Sequence, residues 1–212
     1  MSRLLRFLAW TLVIVGALIG LLRLTVIRWW RVPTGDPYLE ASVAPTLRGG
    51  DWVILWRGTA PIEGDLVLCP EPRTEGRLVV ARIVAEANDH VSVDRDTLFV
   101  NGRRFDTERG CDQFTTLEPK SGEAVVQGCR GETVGGKTHF RGEPRPNLPP
   151  PTQAESDVPS GQVFLVSDNR QFPWDSREFG TVPRDTCLEA IVYRLVSKDG
   201  FFDVANRLTL IR

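Results

Sequence analysis

Amines, imidazoles and paired thiols are all scarce in this chain. Of 212 residues, only Lys120, Lys137 and Lys198 are lysines, although Lys and Arg together number 26. Histidine occurs twice, at 90 and 139, and the four cysteines (69, 111, 129, 187) contain no CxxC spacing. No zinc pattern can be written from this set, and neither a metal nor an organic cofactor is expected. No internal repeat recurs, which excludes a solenoid or propeller. Acidic residues are missing from positions 1–31, which hold five arginines (3, 6, 23, 28, 31) and a charge of +5. The other 181 residues carry 21 basic and 27 acidic groups, or −6. Such a body lacks the clustered cations that phosphate binding needs, so nucleic acid is excluded as the main partner. With 42% apolar and 25% charged residues, global disorder is excluded too.

What is present begins with a long apolar run. Phe7 to Leu22 is 16 residues without a charge, and Leu24 to Ile27 continues the pattern after Arg23. At about 1.5 Å per helical residue, Phe7–Ile27 can cross a hydrocarbon core of about 30 Å. Arg23 near its end can snorkel to the headgroups. Trp29 and Trp30, between Arg28 and Arg31, read as an interfacial belt. No small-x-small cleavage site follows, so residues 1–31 read as a retained membrane anchor in contact with the lipid bilayer. Arginines flank both ends, and charge alone does not orient it.

The remainder reads as mostly β. Strand-like runs occur at Asp51–Arg57, Asp65–Cys69, Leu78–Ala85, His90–Asp94, Thr97–Val100, Gln162–Ser167 and Leu188–Val196. Turn signals such as Glu63-Gly64 and Asn101-Gly102 separate them at short intervals. The expectation is an antiparallel β-barrel or sandwich after a transmembrane helix. It is assembled from 32–102 and 161–212, with 103–160 as a β-rich insertion ending in a Pro-rich loop. Cys111 and Cys129, both in that insertion, are the preferred disulfide. Cys69 and Cys187 either pair or serve as small buried hydrophobes. Trp52 and Trp56 alternate with aliphatic neighbours and are expected in the core. Trp174, in a loop, is the candidate for substrate or membrane contact.

Four boxes, in order after the anchor, resemble the bacterial type I signal peptidases. They are Ser42-Val43-Ala44-Pro45-Thr46-Leu47 with Gly50-Asp51; Gly64-Asp65-Leu66-Val67; Val80-Ala81-Arg82-Ile83-Val84 with Asn101-Gly102; and Ser167-Asp168-Asn169-Arg170 followed by Asp175-Ser176-Arg177, Phe179-Gly180 and Val182-Pro183. The resemblance covers 1–102 and 161–196. It implies a serine endopeptidase of the cytoplasmic (inner) membrane, single-pass, with its main domain outside the cytoplasm. It also implies signal peptides of exported proteins as substrates. Ser42 takes the nucleophile position. Asp168, Asn169, Arg170, Asp175, Ser176 and Arg177 take positions that support the site, with a purely structural clamp as the alternative role.

The departures concern one chemical task. A serine hydroxyl needs a base to take its proton. In this family that base is a neutral lysine, and here its position is Ala81. Arg82 cannot serve, because guanidinium does not deprotonate in proteins. Pro173 replaces a serine that bonds the lysine, Ser167 replaces a glycine, and Glu40 stands near the expected oxyanion site. His90 reads better as a polar residue at a strand start than as a rescuing base. Three readings follow: a signal peptidase of very low activity; a non-catalytic pseudopeptidase that binds export substrates or partners an active peptidase homologue; and a self-cleaving or conjugation-type relative, which the missing lysine disfavours equally.

Overall fold

A computed structural model describes residues 3–211; Met1 and Ser2 of the expected anchor, and Arg212, lie outside the described residues. The chain opens with α1 (Arg3–Thr25), whose Arg3–Arg23 stretch has a mean hydropathy of 2.2 and buries none of it against the body. It is long and apolar enough to cross a membrane. The chain then enters β1 (Ile27–Arg31), the short α2 (Pro37–Ser42), β2 (Trp52–Trp56), β3 (Leu66–Pro70) and β4 (Leu78–Ala85). Next come β5 (His90–Asp94), β6 (Thr97–Val100), β7 (Arg103–Arg104), β8 (Asp106–Leu117), β9 (Ala124–Val134), β10 (Lys137–Gly142) and β11 (Ala154–Asp157). β12 (Gln162–Val166), α3 (Ser176–Phe179), β13 (Val182–Pro183), β14 (Glu189–Val196) and β15 (Thr209–Leu210) complete it.

The protein is thus mostly β. The largest sheet runs β1-β2-β14-β3-β4-β12-β13, with β15 on β14, and curls into a half-barrel. Its strand pairs are antiparallel, as expected for short strands joined by tight turns. A four-stranded sheet, β11-β5-β6-β7, packs its Val91, Val93 and Leu98 with Val84, Phe164 and Val166 of the large one. The stretch expected to be β-rich supplies the long antiparallel sheet β10-β9-β8, stapled by Cys111–Cys129. Cys69 and Cys187 also pair, joining β3 to the turn before β14.

Trp52 and Trp56 depart from expectation. The β1–β2 register sets Arg31 opposite Trp52, Trp29 opposite Ile54 and Ile27 opposite Trp56. Cross-strand partners share a face. That face is the outer one: Trp29 is 53% and Trp52 42% exposed, and Trp56 is half-buried. Val53 and Leu55, between them, fill the core instead.

Candidate functional site

Ser42 owes its place to a well-capped helix. Asp36 accepts hydrogen bonds from the Tyr38 and Leu39 amides, at 3.1 and 3.2 Å, and Pro37 begins the first turn. Six residues on, α2 ends at Ser42, which is 1% exposed. Its hydroxyl donates to the Leu39 carbonyl at 3.0 Å. The last box is tied directly to this helix end. The Asn169 amide donates to the Ser42 carbonyl at 3.0 Å, and Asn169 Nδ2 donates to the Ala41 carbonyl at 2.9 Å.

Behind Ser42 lies a buried ionic lattice. Arg82, on β4, grips Asp168 with two donors, Nε to Oδ1 at 2.7 Å and Nη2 to Oδ2 at 3.1 Å. Thr46 donates to the same carboxylate. Arg82 Nη1 donates to the Gly64 carbonyl, so the Gly-Asp box is joined to the others. Arg170 Nη2 meets Glu132 Oε2 at 2.5 Å. His139 Nε2 stands 3.3 Å from Glu132 and 3.6 Å from Asp168. Asp175 caps α3, accepts from the Ser167 amide at 2.7 Å, and pairs with Arg177 at 2.6 Å. Ser176 Oγ accepts from the Leu165 amide at 2.9 Å.

The electrostatics follow from that pairing. Burial alone would push the Asp168 carboxyl up, but Arg82, His139 and Thr46 together hold it below the ordinary range. Glu132 is likewise fully buried, yet Arg170, His139 and Arg141 hold it far below. Burial, then Arg177, set the balance at Asp175, which also ends low. Burial and the nearby Arg82 cation push His139 down, so it is neutral at pH 7. The lattice therefore carries charges that are fixed near neutral pH.

Position 81 is different in kind. Ala81 is 0% exposed and sits opposite Val67 of β3. Around it pack Val67, Cys69, Val79, Ile83 and Leu165. Trp174 is half-buried and leans on that same cluster, with its indole donating to Glu71 at 3.3 Å. The lysines are elsewhere. Lys137 pairs with Asp65 at 2.6 Å, and Lys120 and Lys198 are exposed, lining shallow clefts of about 200 and 190 Å³ beside α2. The imidazole of His90 is exposed and bonded to Asp157 at 2.8 Å, which raises its pKa. The carboxylate of Glu40 accepts from the Gly35 amide at 2.7 Å and lies against Gly49, where a Cβ would meet it. Among the described residues, no group of three His, Cys, Asp or Glu side chains is arranged to hold a metal.

Ser42, Asp168, Asn169, Arg170, Asp175, Ser176 and Arg177 are thus joined by hydrogen bonds and chain adjacency, and Ala81 lies next to Arg82 on β4 at the border of that network. Sequence reasoning missed Gln127, Glu132, His139 and Arg141, all contributed by the β8–β10 sheet. Gln127 exchanges two amide hydrogen bonds with Asn169, at 2.9 and 3.1 Å. Arg141 reaches Asp96 at 2.9 Å. Buried polar residues on a charged strand were the available signal, but their partners lie 38 to 45 positions away.

Comparison of the sequence gives this fold and lattice a class. Residues 4–195 match the family described as "Signal peptidase, peptidase S26", and the chain belongs to that family. Among its relatives, "Signal peptidase IB" of Staphylococcus aureus is 26% identical over 157 residues, covering 72% of each chain. "Signal peptidase I" of Bacillus caldolyticus is 26% identical over 159 residues, covering 72% of this chain and 74% of that one. Family membership implies a role with the signal peptides of exported proteins, and the apolar helix implies a membrane anchor.

Proposed function

We propose that this chain is a pseudopeptidase of its family. It binds signal peptides, or similar extended segments of exported proteins, and hydrolyses them very slowly or not at all. The observation that carries this reading is Ala81: a methyl group, fully buried among apolar side chains, where the family's base belongs. The Ser42 hydroxyl, meanwhile, spends its proton on a main-chain carbonyl. A hydroxyl without a base within about 3 Å is a poor nucleophile, and losing such a base costs 10³-fold or more. Asp168, Asn169, Arg170, Asp175, Ser176 and Arg177 then act as the frame that keeps the binding groove in shape. The body is proposed to stand on the extracytoplasmic side of the inner membrane, where it binds substrates itself or partners an active peptidase homologue.

The test is cleavage of a model preprotein in detergent by the chain as given, by Ser42→Ala and by Ala81→Lys. No cleavage by the given chain, with cleavage gained by Ala81→Lys, is the expected result, since burial would keep the new amine neutral. Cleavage by the given chain that disappears in Ser42→Ala would overturn the proposal and make this a peptidase with an unrecognised base.

A further inference from the structure

Aromatic rings roof the place where α2 and β4 approach each other. Tyr38 lies four residues before Ser42, so the two share a face of α2. The Tyr38 ring stands 5.1 Å from that of Trp174, which rests on the cluster around Ala81. Arg77, just before β4, sets its guanidinium 4.0 Å from the Trp174 ring and 5.5 Å from the Tyr38 ring. The same guanidinium meets Asp36, the α2 cap, at 3.3 Å and Glu71 at 3.5 Å. Three segments are thereby tied together: the β3–β4 turn, the first turn of α2, and the loop after Arg170.

Two of the departures from the family pattern act on this same ring. The antiparallel register sets Val166 opposite Arg82, which carries the next residue, Ser167, to the level of Ala81. Ser167 Oγ then bridges the main chain of Trp174, accepting from its amide and donating to its carbonyl, each at 3.3 Å. A glycine there has no hydroxyl to do this. Pro173 fixes the backbone immediately before the ring. Strand β12 pairs with β4 only from Arg82 onward, so along Leu78–Ala81 that edge carries no strand among the described residues. Such an edge is where an extended peptide adds to a sheet, and the Trp174 loop lies along it.

We infer that Trp174 is a lid over the buried Ser42 and the open edge of β4 at Ala81, latched by Arg77 and Ser167, and that a peptide reaches them only when the ring swings away. This rests on the peptide-binding reading above. The latch is made of long contacts: a part-exposed Arg77–Asp36 pair, a 3.5 Å pair to the buried Glu71 carboxylate, a ring–cation contact and long hydrogen bonds. The Arg82–Asp168 lattice beneath is not of that kind. Two of the residues that build the lid, Ser167 and Pro173, stand where this chain departs from the family pattern.

The four native cysteines are all in disulfides, so a thiol at position 42 is a clean reporter. Full-length Ser42→Cys in detergent is labelled with a small thiol reagent, alone and combined with Arg77→Ala or Ser167→Gly. Both combinations should label about tenfold faster, Ser167→Gly with an unchanged melting temperature. Val53→Cys, buried in a separate core cluster, is the control and should not accelerate in either background. Rates within twofold of Ser42→Cys alone would overturn the lid, as would equal acceleration at Val53→Cys. A synthetic signal-sequence peptide is then added to Ser42→Cys/Arg77→Ala. Acceleration by the variant without protection by the peptide keeps the lid and overturns peptide binding. Protection without acceleration does the reverse.

Discussion

On one side of Ser42 the protein is ionic, and on the other it is hydrocarbon. Arg82, Asp168, Glu132, Arg170, Asp175 and Arg177 are all buried, and each has an opposite charge within 2.7 Å. Ala81, a few ångströms along the same strand from Arg82, has only apolar and disulfide neighbours in its cluster. Alternation along β4 explains how one strand serves both: successive side chains leave on opposite faces. The difference teaches that frame and chemistry are separable here. Removing a partner from the ionic side strands an uncompensated charge, so the fold itself depends on those residues. On the apolar side an alanine leaves no buried polar group to satisfy, whereas an amine there would need a partner.

This contrast is open to attack at several points. The largest effect is expected for Asp168→Ala, which leaves Arg82 buried and unpaired and should cost about 3–5 kcal/mol in denaturant unfolding. A loss below about 1 kcal/mol would mean that the lattice is not what holds the frame. Acid comes next. Glu132, Asp168 and Asp175 are all held low in the folded protein, so the unfolded chain binds more protons at acid pH. Their contribution is whole above about pH 4.5 and is lost as the pH falls toward the folded values. The neutral, buried His139 adds an earlier step. Unfolded histidine takes up a proton below about pH 6.5 while the folded ring resists, so stability should begin to decline there. His139→Gln should remove that first decline from a pH series of melting temperatures and leave the steeper loss below pH 4.5. The smallest effect belongs to the reacting side: Ser42→Ala forfeits a single hydrogen bond and should shift stability by about 1 kcal/mol or less. A larger loss would show that Ser42 is part of the frame after all.

Much of this was legible in the residues. The apolar run of α1, the β-rich body and the order of the four boxes are local patterns, set by side-chain hydropathy and turn chemistry over a few positions. Ala81 was legible too, as a fact of covalent sequence, and the reading of it as a missing base belongs to the proposal above. Burial was less so. Trp52 alternates as a core residue should, yet it faces outward, since which face of a strand is covered depends on its neighbours in the sheet. Trp174, read as the candidate for substrate or membrane contact, is half-buried against the cluster that contains Ala81, and its contacts with Tyr38, Arg77 and Ser167 were not legible in the sequence.

By itself, then, the sequence determined the apolar N-terminal helix, the fold class and the family, because each is written in residue types and short spacings. The tertiary structure alone decided the partners: Glu132 with Arg170 across 38 positions, Arg82 with Asp168 across 86, and Glu71 with Trp174 across 103. Ion pairs and ring contacts act over a few ångströms, and only the folded path of the backbone brings such distant residues within that range.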